Sequence, residues 1–89
     1  MNRLSDNENM FGYHTVLINK GELGEISKIQ EEVDELSDAH KQGVKILMLC
    51  EVADLIGAIE HYLNRHFPNF TIKDAHDMSK LTRKYKENL

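Results

Sequence analysis

Eighty-nine residues with a formal net charge of −4 describe one small acidic domain with little core of its own. That charge gives no footing for generic nucleic-acid binding, and the longest apolar run, Ile46 to Cys50, is far too short to cross a membrane. The single Cys50 excludes an intrachain disulfide and its apolar neighbours predict a buried thiol in a reducing compartment; MNRLSDNEN lacks a signal-peptide core, so cytoplasm is the expected location.

Residues 1–19 read as a loose N-terminal segment and residues 20–89 as one helical domain. Within the segment, Met10 to Ile18 breaks the polar pattern with two aromatics and an apolar run. It is expected to pack on the bundle, with the lining of a ligand pocket as the alternative; His14 shares that ambiguity or is a solvated loop residue. A first helix is predicted from Leu23 to Lys41, where Ile26, Ile29, Val33, Leu36 and His40 recur every three or four residues. Gly43 ends it by supplying a left-handed C′ position. A second helix runs from Lys45 to His66, stopped by Pro68-Asn69. From Ile46 to Leu63 it is apolar on nearly all sides, more than one hairpin partner covers, so a second subunit is expected there; a central helix in a three-helix monomer is the alternative. A third helix begins at Thr71, an N-cap with Asp74 in the first turn, and its packing face is Ile72, Ala75, Met78, Thr82, Tyr85 and Leu89. The expected fold is all-α, a helical hairpin plus a third C-terminal helix, assembling into a four-helix-bundle-type homodimer or homotetramer.

The acids fall into register about the turn. Glu35 and Glu51 lie eight residues either side of Gly43, and Glu32 and Asp54 lie eleven. At about 1.5 Å per residue an antiparallel hairpin sets these pairs level, roughly 12 and 16 Å from the turn. At about 100° per residue Glu32 sits at the edge of the first helix's apolar stripe and Glu35 one step beyond, with Lys28 and Glu31 on the same flank. Glu51 occupies the centre of the face that carries Leu47, Met48, Leu55, Ala58 and Tyr62. An ionised carboxylate there is costly unless it is paired or bound to a cation. Taken alone, the run Glu31 to Asp38 reads as solvated surface; the symmetry about Gly43 and the acid on an apolar face argue for convergence on a divalent cation. Hard oxygen donors without His or Cys favour Mg²⁺, or Mn²⁺, over Zn²⁺.

Glu31-Glu32-x-x-Glu35, fifteen intervening residues and Glu51-x-x-Asp54 resemble the EExxE and ExxD motifs of the MazG-like, all-α nucleoside triphosphate pyrophosphatases. The likeness continues through KGELGEISKIQEEVDELSDA and EVADLIGAIEHYL and covers about residues 20 to 86. It implies that a nucleoside triphosphate is hydrolysed between its α and β phosphates by metal-activated water, with Mg²⁺ or Mn²⁺ on Glu32, Glu35, Glu51 and Asp54. Catalytic roles then fall to Glu35 and to Glu31, which, angled further out, orients or deprotonates the water or is plain surface. A triphosphate also needs cationic side chains. Lys28 is one candidate, unless it only pairs with Glu32. Lys80 and Lys84 are others, one turn apart on a third helix that holds five of the eleven basic residues; a solvated basic face is the bland alternative. There is no Ser/His/Asp or Cys/His set and no glycine-rich phosphate loop. A non-catalytic helical assembly or adaptor module, and a phosphoribosyl-ATP pyrophosphatase, are the competing functions.

Overall fold

The computed structural model describes residues 13–88, which form three helices and no strand: α1, Ile26–Gln42; α2, Lys45–His66; and α3, Ile72–Glu87. The first helix starts later than Leu23 because Leu23 and Gly24 form a turn, with Gly24 at φ 89°. It stops at Gly43, whose φ of 75° lets its N–H reach the carbonyls of Ala39 and His40. α3 opens on a reciprocal capping box. Thr71 Oγ1 accepts from the Asp74 N–H at 3.1 Å while the Asp74 carboxylate accepts from the Thr71 N–H at 3.0 Å, which holds the Asp74 carboxyl below its usual range. α1 and α2 pack as a hairpin, whereas α3 touches only α2 among the helices. None of the three is long and apolar enough to cross a membrane.

The interior of the hairpin is polar. Ala39 and Ala58 are the only fully buried apolar side chains among the described residues, beside buried Glu31, Glu32, Asp38 and Glu51. α1 therefore turns its acids inward, and the stripe predicted to pack is split: Ile29 and Leu36 are half-buried while Ile26, Val33 and His40 face solvent. The reason lies in what covers α1. The chain before it lies over the acidic face and supplies hydrogen-bond donors there, so the apolar edge is left outside. On α2 the inward residues Leu47, Met48, Leu55, Ala58 and Tyr62 are buried or half-buried around Glu51. Its far side leaves Ile46 and Leu49 68% and 65% exposed, with Val52 and Ile56 beside them. Cys50 lies next to Leu49 and is exposed, which corrects the expectation of a buried thiol. α3 uses its apolar face only at the start: Ile72 and Ala75 are half-buried, Met78, Thr82 and Tyr85 are exposed, and Leu89 lies outside the described residues. The segment Met10 to Ile18 packs less than expected too. Val16 and Leu17 are exposed, Ile18 is half-buried, and Met10 to Gly12 lie outside the described residues.

Candidate metal centre

Glu32 and Glu35 from α1 and Glu51 and Asp54 from α2 meet in space: each offers a carboxylate oxygen within 4.8 Å of one from every other. Donor atoms around a single ion bound at about 2.0–2.2 Å stand roughly 3–4.4 Å apart, so the four oxygens would draw in on binding one. Glu51 is fully enclosed, and neither of its oxygens has a hydrogen-bond partner; Oε1 of Glu32 is orphaned in the same way. Asp54 is exposed and opens the group to solvent. Buried acceptors facing other acceptors are costly as they stand. The donor set thus fits a divalent cation.

The electrostatics agree. Burial pushes the Glu32 carboxyl above its ordinary value, and the neighbouring Glu35 adds to the effect while Lys28 opposes it. Glu35 is also raised, first by burial and then by the nearby Glu51, with the Glu32 contact working the other way. Tyr13, the first described residue of the N-terminal segment, has its phenol pushed up to about 12 by partial burial and by the charges of Glu51, Asp54 and Glu35.

Glu31 does not angle outward. It is 3% exposed, and its carboxylate accepts from the Gly21 N–H at 2.8 Å and from Lys28 Nζ at 3.1 Å, with Lys20 Nζ at 3.8 Å. Burial alone would raise its pKa, but these donors outweigh it and the group is lowered. Lys28 also reaches Glu32 at 3.2 Å, and the two acids overcome desolvation to raise the Lys28 pKa. Gly21 is required for this clasp, because a Cβ there would lie 2.1 Å from the Ser27 carbonyl oxygen. Gly21→Ala is therefore expected to destabilise the chain by about 1–3 kcal/mol, read by chemical denaturation. An unchanged midpoint would mean that the clasp contributes nothing.

His14, left open between packing, pocket lining and a solvated loop, lies beside the centre, tied there by Asp38 and Thr15, to which the sequence assigned no role. His14 Nε2 lies 3.2 Å from Glu51 Oε2 and 3.9 Å from Glu35 Oε1, and its Nδ1 is 3.0 Å from Asp38 Oδ2. Asp38 also accepts from the Thr15 N–H at 2.9 Å, from the Thr15 hydroxyl and from Gln42 Nε2 at 2.9 Å. Those donors hold its carboxyl well below the usual range, the Thr15 hydroxyl most strongly. Asp38 continues the spacing of Glu31 and Glu35 along α1 and was discoverable on that signal. His14 and Thr15 had none, since a loop residue carries no periodicity to place it.

Lys80 and Lys84 are exposed on α3, which does not contact α1, and neither forms an ion pair with the acids among the described residues. A groove of about 290 Å³ runs between residues 15–19 and α1, but Asp34 and Asp38 line it with Lys41 as the only cation. That lining suits a triphosphate poorly. The chain and centre together define a helical hairpin whose buried carboxylates could hold a metal ion. Compared with known proteins, the chain matches no family model, no curated protein and no solved structure.

Proposed function

We propose that this protein is a metal-dependent nucleoside triphosphate pyrophosphohydrolase, releasing a monophosphate and pyrophosphate. The observation that carries the reading is Glu51, fully enclosed with two orphaned oxygens, among Glu32, Glu35 and Asp54 in the spacing ExxE…ExxD. Mg²⁺, or Mn²⁺, held by these four would neutralise phosphate charge and supply a water of lowered pKa. Glu35, among the carboxylates that face Glu51, is the residue proposed to take the proton from that water. Glu31 is bound by Gly21 and Lys28, so in this reading it positions Lys28 at the centre's edge and leaves the proton transfer to Glu35. Lys28, about a quarter exposed, can turn an ammonium group towards phosphate, while Lys80 and Lys84 keep a phosphate role only across a subunit boundary. Pyrophosphate release measured over the common ribo- and deoxyribonucleoside triphosphates with Mg²⁺ tests the proposal. Turnover of none of them would leave the adaptor reading in possession.

The same reading makes the protein a homodimer or homotetramer. Ile46, Leu49, Val52 and Ile56 form an apolar stripe along the outer side of α2, which a second copy with the same stripe would cover by completing a four-helix bundle. Sedimentation is expected to give a dimer or larger, and Leu49→Glu with Ile56→Glu to give a monomer that melts lower. A wild-type monomer at micromolar concentration rejects the assembly.

A further inference from the structure

The oxygen cluster leaves one buried group unexplained. The His14 side chain is 8% exposed, yet its Nε2 has no hydrogen-bond partner and is aimed at Glu51 and Glu35. Its other nitrogen is held by Asp38. Asp38 receives the Thr15 N–H, the Thr15 hydroxyl and the Gln42 amide, so its carboxylate acts wholly as an acceptor, and the remaining contact, 3.0 Å from Nδ1, places the ring proton there. Nε2, with no hydrogen-bond partner of its own, faces carboxylate oxygens of Glu51 and Glu35 at 3.2 and 3.9 Å. A ring nitrogen without a partner, enclosed beside carboxylate oxygens that also lack one, is an arrangement a cation resolves. His14, Glu35 and Glu51 each offer one donor atom within 4.8 Å of the others.

From this geometry we infer that His14 is a metal ligand through Nε2, making the centre a mixed nitrogen and oxygen site for a first-row transition ion. Asp38 is the positioning residue that fixes the ring, as carboxylates do behind metal-bound histidines. This inference rests on the reading of the acid cluster as a metal centre. Glu35 and Glu51 belong both to the His14 group and to the all-oxygen group, so the two sets of donors adjoin through shared carboxylates. Imidazole suits ions such as Zn²⁺, Fe²⁺ or Ni²⁺ better than Mg²⁺, and Mn²⁺, which also accepts carboxylate oxygen, serves as the spectroscopic probe. The N-terminal segment becomes part of the centre, delivered by Thr15 and His14 onto Asp38.

The test loads the full chain with Mn²⁺ and records pulsed electron paramagnetic resonance. The wild type is expected to show ¹⁴N coupling from a directly bound imidazole, replaced by the ¹⁵N pattern when histidine is ¹⁵N-labelled and lost in His14→Gln but kept in His40→Gln. Calorimetry is expected to give a 10–100-fold weaker Mn²⁺ affinity for Asp38→Asn. Bound Mn²⁺ with oxygen-only coupling in the wild type overturns the role of His14 and leaves the acid centre standing. Failure to bind Mn²⁺ at all overturns both.

Discussion

Glu51→Gln is expected to lower pyrophosphate release by about 10²–10³-fold while raising the melting temperature of the metal-free chain. The loss in rate follows from removing the innermost anion of the cluster, because a metal contributes several kcal/mol of transition-state charge stabilisation and each 1.36 kcal/mol is tenfold. The gain in stability has a different source. Glu51 is wholly enclosed with no partner for either oxygen, and an unsatisfied buried group costs about 1–3 kcal/mol. Glutamine removes the charge and brings an amide donor towards Glu35, Asp54 and Nε2 of His14. Few substitutions at an ordinary core position would be both inactivating and stabilising. Unaltered turnover, or a variant that melts lower without metal, would remove Glu51 from the centre.

Millimolar Mg²⁺ or Mn²⁺ is expected to raise the melting temperature strongly at neutral pH and hardly at all near pH 4. A ligand at a hundred times its Kd stabilises the native state by about 2.7 kcal/mol, and in a chain of this length each kcal/mol is worth about 4–8 °C. The pH dependence follows from Glu32 and Glu35. Both are raised in the folded state, so the metal-free native chain binds more protons than the unfolded one in the window from about pH 4.3 up to their folded values. Its stability accordingly falls as pH rises through that window, which is where the cation takes over from the proton. Below about pH 4 the sign reverses, because Glu31, Asp38 and Asp74 are lowered and the stability they contribute is lost as they are protonated. Metal-free thermal scans should pass through a maximum on the acid side of neutrality. A melting curve indifferent to metal at neutral pH would count against the convergence of the four acids on a cation.

What the chain determined locally was read correctly because it is local. Gly43 turns the backbone by its own conformational freedom, Thr71 and Asp74 cap α3 within one turn, and α2 spans Lys45–His66 as its apolar pattern and Pro68 require. That Glu32, Glu35, Glu51 and Asp54 meet in space also followed, since a tight turn and a fixed rise bring residues equidistant from Gly43 to similar heights on two facing helices.

Which face of α1 points inward was a different kind of question. Periodicity put Ile26, Ile29, Val33, Leu36 and His40 on one stripe, of which only Ile29 and Leu36 are half-buried, because burial depends on what lies opposite, and the cover comes from residues 13–21. That segment donates the Gly21 N–H to Glu31 and the Thr15 N–H to Asp38, and sets His14 against Glu51. Once those donors are in place an acidic face can be buried and an apolar one left outside. A loop has no repeat from which its contacts can be computed, so only the tertiary structure could join His14 to Asp38, 24 residues away, and turn a pattern of four acids into a centre with a nitrogen beside it.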